Sequence, residues 1–289
     1  MSDSPSSRRL SRRECLRWGL GGLVGGGLIY TGFIEPKWLE LVRITIPIQD
    51  LPPAFHGYRI GQISDIHFPR NITVEWVHQA IAMLRAQQPD LIVVTGDFFD
   101  GHGQTGVVPD STDLFAGLTA PNGVFGCLGN HDIALDARGV LKELTRSPID
   151  LLLNDHTILE RRGDRLALAS IDDLMYGTPR PDEALGGIPS STPTVLLAHN
   201  PDTAELGIGD YRVDIQLSGH THGGELYMPF IGEAYVPSRF GSKFSRGLVT
   251  GAAHRVYVNR GLCSPRHARF LVRPEVTLIT LTPAPSSTG

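Results

Sequence analysis

The chain has 289 residues and a formal net charge of −4, which suits one large α/β domain with a sizeable core or two small domains. It has no basic excess, so we expect no nucleic-acid partner. Glycine and proline number 33 and 21, a composition that favours a domain with functional loops.

Residues 1–36 have the composition of a targeting segment. Arg12 and Arg13 precede a Gly-rich, modestly apolar run from Trp18 to Ile34, and this arrangement resembles a twin-arginine export signal. A short membrane helix with basic flanks is the alternative, at about 17 residues and thus at the lower limit for a span. No small-x-small cleavage site follows, so the segment could stay as an anchor. We therefore expect twin-arginine export, a periplasmic or other extracytoplasmic location, and association with the inner membrane.

The cysteines do not indicate a disulfide framework. Cys15 lies in the signal, which leaves Cys127 and Cys263 for the rest of the chain. Two cysteines this far apart have no zinc-type spacing, and Cys127 is interpreted as a buried strand residue.

Strands and helices alternate along residues 37–282, which we interpret as one domain, followed by a polar tail at 283–289. Alternating or continuous apolar runs predict strands, and these lie at 38–48, 58–64, 91–95, 123–128, 151–154, 157–160, 165–171, 194–198, 213–218, 248–250, 255–259 and 276–281. Helical spacing of apolar residues predicts helices at 71–87, with Asn71 or Thr73 as the cap, and at 112–118 and 136–146.

Five polar clusters stand at the ends of apolar runs. They are Asp65-x-His67, Gly96-Asp97-x-x-Asp100, Gly129-Asn130-His131-Asp132, His199 and Gly219-His220-x-His222. Ligand-binding groups of α/β sheets collect beyond the carboxyl ends of the strands. Any one of these histidines alone would be read as a satisfied core residue, but five of the eleven histidines fall in these clusters. The clusters together therefore predict a metal site.

The mixture of Asp, Asn and His donors indicates which ions the site takes. Such donors suit borderline divalent ions such as Mn, Fe, Zn or Ni, whereas oxygen donors alone would indicate Mg²⁺ or Ca²⁺. The set is too large for one tetrahedral ion, and two ions roughly 3.5–4 Å apart and bridged by one carboxylate would use it fully. A mononuclear site is the alternative.

The five clusters, in this order, resemble the motifs of the calcineurin-like metallophosphoesterase superfamily. Four runs resemble more narrowly its exported bacterial YkuE/YaeI-like phosphodiesterase branch: Ala198-His199-Asn200-Pro201-Asp202, Gly219-His220-Thr221-His222-Gly223-Gly224, Asn259-Arg260-Gly261-Leu262 and Arg273-Pro274-Glu275. Glu225 departs from the Gln usual in that branch, and Cys263 from Gly. The resemblance implies an α/β fold with four layers, α/β/β/α, in which two mixed sheets face each other and the metals lie at one edge.

The resemblance also implies a role for each motif residue. Asp65, His67 and His222 would hold one metal, and Asn130, His199 and His220 the other, with Asp97 as the bridge. A hydroxide activated by both metals would attack phosphorus. His131 would be the catalytic residue that binds no metal, and Asp132 would orient its imidazole. Asp100 could be a supporting partner or a loop cap, while Arg260 and Arg266 are either contacts for substrate phosphate or solvated surface residues.

The expected function is metal-dependent hydrolysis of phosphate esters, with diesters favoured, in the cell envelope. The branch also resembles UDP-2,3-diacylglucosamine pyrophosphatases, so a lipid-linked phosphate is the alternative substrate. A non-catalytic metal-binding scaffold is a further alternative, but such proteins lose ligands or the catalytic histidine, and this sequence retains all of them.

Overall fold

The computed structural model describes residues 11–101, 107–206 and 208–285. Within them the chain forms two six-stranded sheets and one separate hairpin. The strands are β1 (Glu40–Ile48), β2 (Arg59–Ile63), β3 (Leu91–Thr95), β4 (Val124–Cys127), β5 (Asp150–Leu151), β6 (Asp155–Arg161), β7 (Asp164–Ser170), β8 (Thr194–Leu197), β9 (Ile215–Ser218), β10 (Tyr227–Met228), β11 (Gly232–Glu233), β12 (Gly247–Thr250), β13 (Arg255–Val258) and β14 (Glu275–Pro283).

Both sheets are mixed. The first has the order β1-β14-β2-β3-β4-β5, in which β2 to β5 are parallel and β14 runs antiparallel to β2. The second has the order β12-β13-β9-β8-β7-β6, in which the four central strands are parallel and the two edge strands antiparallel. The central strands are buried on both faces, which explains their continuous apolar sequences.

The two sheets pack face to face. Ile60 and Val93 of the first sheet share an apolar core with Val195 and Leu217 of the second. The helices are α1 (Arg12–Ile29), α2 (Val74–Arg85), α3 (Asn130–Leu144) and α4 (Pro181–Leu185). Helices α2 and α3 cover the outer face of the first sheet, and α4 lies on the second. The predicted four-layer α/β/β/α sandwich is confirmed, with one thin outer layer because α4 has only five residues.

The helix predictions are correct in part. Thr73 is the cap of α2, since its side chain accepts a hydrogen bond from Trp76 N. The helix predicted at 112–118 is wrong: the segment forms consecutive turns, and Gly117 has the left-handed φ of 77° that interrupts a helix. Helix α3 begins at Asn130 instead of Asp136, where the backbone is non-helical, so the Asn-His-Asp motif is a helix start and not a loop.

The N-terminal segment contacts the domain at its carboxyl end. A π-helix at Tyr30–Ile34 continues α1. The Arg269 N–H donates to Thr31 O at 2.9 Å, and the buried Glu35 accepts from Val272 N. Among the described residues, no helix combines the length and the apolar character that a membrane crossing requires. The beginning of the predicted signal, residues 1–10, and the end of the predicted tail, 286–289, lie outside the described residues.

Candidate metal centre

The donor side chains follow the carboxyl ends of parallel strands in both sheets. Asp65 and His67 follow β2, Asp97 follows β3 and Asn130 follows β4, while His199 follows β8, and His220 and His222 follow β9. The two sheets therefore bring their strand ends to one edge of the sandwich. We refer to these seven side chains together as the donor floor.

Most of the floor residues adopt a backbone conformation that is rare for their type. Their φ angles lie in the left-handed region, at 50° for Asp65, 51° for His67, 53° for Asp97, 72° for His220 and 50° for His222. This conformation turns the chain sharply within one or two residues of the strand end, and such strained residues cluster at functional sites. The turn allows both members of Asp65-x-His67, and both of His220-x-His222, to reach the same edge.

Three motif glycines stand where a side chain would collide with the floor. A Cβ built on Gly129 would lie 2.2 Å from Asp97 Oδ1, and one on Gly219 would lie 2.1 Å from Asp65 Oδ2. On Gly96, whose φ is 85°, it would lie 2.6 Å from His199 Nδ1. The glycine before each of Asp97, Asn130 and His220 is therefore required, because the backbone at that position lies too close to a donor for a side chain to fit.

One group of donors comprises Asp65, His67 and His222. Their ligand atoms can all lie within 4.8 Å of one another. His67 Nε2 is 3.2 Å from His222 Nε2, and His222 Nε2 is 3.5 Å from Asp65 Oδ1. The carboxylate of Asp65 is held in place because it accepts the His220 N–H at 2.9 Å.

A second group comprises Asn130, His199 and His220. Asn130 Oδ1 is 2.8 Å from His220 Nδ1 and 3.2 Å from His199 Nε2. His199 Nδ1 lies 2.7 Å from the Thr95 carbonyl oxygen. A carbonyl can only accept, so Nδ1 carries the proton of this contact and Nε2 is turned toward Asn130.

Asp97 connects the two groups. Its Oδ2 atom lies 3.4 Å from His67 Nε2 in the first group and 3.1 Å from His199 Nε2 in the second. The other oxygen, Oδ1, accepts the His131 N–H at 2.8 Å. One carboxylate oxygen therefore faces both groups, as a ligand shared by two cations would.

Burial and protonation suit the floor to cations. The seven side chains are buried. Burial lowers the pKa of His67 and of His220 to about 3 and that of His222 far below its usual range, so these rings are neutral, as metal ligands must be. Burial raises the pKa of Asp65 to about 6. Burial also opposes ionisation of Asp97, but His199, His67 and His131 together outweigh it and hold the pKa of Asp97 well below normal. His199 differs from the other three rings, because Asp97 raises its pKa against the effect of burial. The donor set thus fits borderline divalent ions.

His131 is supported by Asp100 and not by Asp132. Its Nδ1 lies 3.1 Å from Asp100 Oδ1, and Asp100 also accepts from Arg70 at 3.2 Å. The two oxygens of Asp132 instead accept backbone N–H groups, of Gly129 at 2.9 Å and of Phe99 at 3.0 Å.

The prediction that Asp132 orients His131 is therefore wrong. Asp132 is the third residue of α3 and closes a capping box with Gly129, so its carboxylate points back along the helix start. Of the two readings of Asp100, the contact with His131 agrees with that of a supporting partner.

A cavity of about 340 Å³ lies above the floor. His131, whose side chain is 15 % exposed, borders it together with Arg70, Glu225, Tyr235 and Arg266. We call the last four residues the rim. Arg266 Nη1 is 3.1 Å from Glu225 Oε2, and its guanidinium lies over the Tyr235 ring at 4.5 Å. A larger cavity, of about 510 Å³ between residues 32–37 and α2, contains no floor residue.

The structure separates the two arginines that the sequence proposed for phosphate contact. Arg266 borders the cavity, with half of its side chain exposed. Arg260 is mostly buried and pairs with Glu275 and with Glu40, at 2.9 Å for the latter. Sequence reasoning missed Arg70 and Tyr235. The position of Arg70, three residues after His67, was a weak indication that it lies near the site. No feature of the sequence indicated Tyr235.

Comparison with known proteins gives consistent results. A family profile described as calcineurin-like phosphoesterase matches residues 58–224. A protein named uncharacterized metallophosphoesterase YkuE, of Bacillus subtilis, is 37% identical over 95% of this chain and 98% of its own length. Phosphodiesterase YaeI of Escherichia coli is 30% identical over 94% of this chain and 99% of its own. UDP-2,3-diacylglucosamine pyrophosphatase LpxG of Chlamydia muridarum is 26% identical over 87% of this chain and 92% of its own.

Proposed function

Because the chain belongs to the calcineurin-like phosphoesterase family and is a metal-dependent phosphoester hydrolase, we propose that it cleaves phosphodiesters with two divalent cations. Asp65, His67 and His222 would hold one cation, Asn130, His199 and His220 the other, and Asp97 both. Mn, Fe, Zn and Ni all suit these donors.

The proposal of two cations rests on the position of Asp97 Oδ2. This atom lies within 3.4 Å of a histidine nitrogen in each donor group. When bound, two cations at such a site would polarise the phosphoryl group and lower the pKa of a water molecule. The chain itself contributes the positions of the donors. It fixes them through the His131 N–H on Asp97, the His220 N–H on Asp65 and the Thr95 carbonyl on His199.

His131 would donate a proton to the oxygen of the leaving group. It stands at the boundary of floor and cavity, and its ring packs edge-on against His67 with centroids 4.4 Å apart. Asp100 engages Nδ1, so transfer to the leaving oxygen would use Nε2. Asp100 is then a positioning residue, because it acts on the substrate only through the imidazole.

The substrate class is supported by the relatives and by the N-terminus. YaeI is named a phosphodiesterase, which favours diesters. The second candidate is a lipid-linked pyrophosphate, because LpxG is named a pyrophosphatase of a diacylated sugar nucleotide. The exposed apolar side chains of α1 favour a substrate that lies at or near a membrane. A panel of phosphomonoesters, phosphodiesters and UDP-linked lipids, assayed with the Mn²⁺-loaded protein, would distinguish these classes.

The experiment that tests the proposal is the replacement of His131. His131→Ala should lower turnover of bis-p-nitrophenyl phosphate by about 10²–10⁴-fold, the contribution typical of a positioned acid or base, and should leave two metals bound per chain. His78→Ala, a histidine outside the cavity, is the matched control. Unchanged turnover in His131→Ala would contradict the catalytic role, and one metal per fully active chain would contradict the dinuclear site.

We further propose that the segment 1–36 directs export by the twin-arginine route and keeps the protein at the inner membrane. The support is the pair Arg12-Arg13 before the apolar run of α1. The double variant Arg12→Lys/Arg13→Lys should block appearance of the protein outside the cytoplasm. Continued export of this variant would contradict the proposed route.

A further inference from the structure

The hairpin of β10 and β11 carries an exposed apolar tip. Phe230 and Ile231 are 107% and 79% exposed, the two highest values among the described large apolar residues. Phe230 also has a φ of 71°, a conformation that turns usually assign to Gly or Asn and that is rare for a bulky residue. An aromatic side chain at such a position is favoured neither by solvent nor by the turn. Contact with an apolar partner outside the chain would remove it from water and thus stabilise it.

The tip stands beside the catalytic cavity. The hairpin begins two residues after Glu225 and ends two residues before Tyr235, and both of these residues border the cavity. Leu226 forms a β-bridge with Phe270, and the Tyr227 N–H donates to Phe270 O at 2.9 Å. These contacts tie the base of the hairpin to the domain and leave Phe230 and Ile231 outside it.

The N-terminal segment meets the domain at the same place. The rings of Tyr30 and Phe270 are in edge-to-face contact with centroids 6.3 Å apart, and the Arg269 N–H donates to Thr31 O. The hairpin and the segment that continues α1 therefore leave the domain on either side of Phe270. Two exposed apolar features are thus attached to the domain beside the same residue, and one of them, the hairpin, is flanked by residues that border the cavity.

The pattern of α1 indicates what covers both features. The large apolar side chains that the structure describes in this helix, at positions 18, 20, 23, 24, 28 and 29, are more than half exposed. At about 100° per residue they lie on all sides of the helix. No described atom outside the helix backbone lies within 4 Å of a Cβ built on its glycines. A single protein surface would cover one face of such a helix, whereas lipid chains can contact several of its sides without the helix crossing the membrane.

We propose that the hairpin tip is a second membrane contact, which inserts Phe230 and Ile231 into a lipid surface in which α1 also lies. The cavity mouth, which Glu225 and Tyr235 border on either side of the hairpin in the sequence, is then brought close to the lipid headgroups. The enzyme acts on phosphoesters presented at that surface, and this last statement alone rests on the proposed function.

Vesicle binding tests the contact without reference to catalysis. The full chain is sedimented with vesicles of phosphatidylcholine and phosphatidylglycerol. Phe230→Ser/Ile231→Ser should bind at least about tenfold more weakly than the wild type. Leu153→Ser/Leu248→Ser, which removes two other exposed apolar side chains (40% and 41% exposed), should bind like the wild type. Equal binding by the tip variant, or no binding by the wild type, overturns the proposal.

A local probe gives a second, independent measurement. In a Cys15→Ser background, Ile231→Cys is labelled with an NBD fluorophore, since Cys127 and Cys263 are buried. With vesicles, the emission should shift to the blue and be quenched by spin-labelled lipid, and the same label at Leu248→Cys should not respond. A water-like emission at Ile231→Cys in vesicle-bound protein overturns the proposal. A blue shift without vesicles overturns it in favour of self-association through the tip.

The assay of a soluble diester separates this inference from the proposed function. Phe230→Ser/Ile231→Ser should hydrolyse bis-p-nitrophenyl phosphate at the wild-type rate, because neither residue borders the cavity, and should lose activity only on substrate embedded in vesicles. Vesicle binding that depends on the tip, with no diester hydrolysis by the wild type, would refute the proposed function and leave the membrane contact standing.

Discussion

The donor floor and the rim differ in how the fold holds them. The floor residues are buried, and several are fixed by backbone groups of neighbouring strand ends, such as the His220 N–H on Asp65 and the Thr95 carbonyl at His199. The rim is held by contacts between side chains, such as those of the half-exposed Arg266 with the buried Glu225 and with Tyr235. A buried donor is held in one position, whereas a half-exposed guanidinium can exchange its partner for a ligand or for water.

The difference indicates a division of labour. The floor offers seven donors of the types that bind cations, and changes there should abolish chemistry. The rim offers two guanidinium groups, of Arg266 and Arg70, each already paired with a carboxylate, and changes there should alter substrate affinity by modest factors. The following variants test whether this division holds, from the largest expected effect to the smallest.

Replacement of Asp97 should have the largest effect, because its Oδ2 faces both donor groups. Asp97→Asn should lower diester turnover by roughly a thousandfold or more, and the metal content should fall below two per chain by elemental analysis. Asp155→Asn, at an exposed position, is the control. A variant that keeps both metals and most of its activity would show that this carboxylate is not the shared ligand.

Asp100 and Asp132 should respond in opposite ways. Asp100→Asn should reduce kcat by about 10–100-fold through His131, as is typical for a carboxylate that orients a histidine, with metals and melting temperature retained. Asp132→Ala should chiefly lower the free energy of unfolding, by about 1–3 kcal/mol, because two buried N–H groups lose their acceptor. Denaturant unfolding and steady-state kinetics on both variants measure this. If both variants reduced kcat equally, the result would support the role in orienting His131 that the family resemblance implies for Asp132.

Arg266 should affect binding more than turnover. Arg266→Ala should raise KM for the diester by about three- to tenfold with kcat nearly unchanged, since its charge acts on the bound phosphate and not on the reacting bond. Arg260→Ala should leave KM unchanged and reduce thermal stability, because Arg260 pairs with Glu40 and Glu275 in a mostly buried site. A higher KM in Arg260→Ala alone would reverse the assignment.

The smallest effect is expected at Glu225, where the related branch usually has Gln. Glu225→Gln keeps an acceptor for Arg266 but removes the negative charge, so the guanidinium is less neutralised. KM for an anionic diester should fall by about two- to threefold, and the change should shrink in high salt. Comparison of the two proteins across ionic strength measures this, and a salt-independent change would point to packing on Tyr235 instead.

Sequence reasoning succeeded where a signal is local. The buried strands Leu91–Thr95 and Thr194–Leu197 were predicted within one residue, because continuous apolar runs mark strands covered on both faces. Turns were harder to predict. The segment at 112–118 has apolar residues at helical spacing, but Gly117 adopts a left-handed conformation that interrupts a helix.

The failure at Asp132 has a physical cause. The family resemblance implied that Asp132 orients His131, but at the start of α3 an Asp three residues after the cap accepts the backbone N–H of Gly129. Asp100 reaches His131 from another loop, across 31 positions of sequence. Spacing along the chain could not distinguish the two carboxylates, because only the packing of the two loops decides which one meets the imidazole.

The sequence by itself determined the kind of protein. The donor types, their order and their place after apolar strands follow from local patterns, and those patterns were enough for the family and the sandwich and for a proposal of the donor residues. The tertiary structure decided how closely Asp97 approaches both groups of donors, which arginine borders the cavity, and that the base of the Phe230 hairpin and the segment that continues α1 both contact Phe270. Such relations join residues far apart in the chain, and they exist only once two sheets have packed face to face.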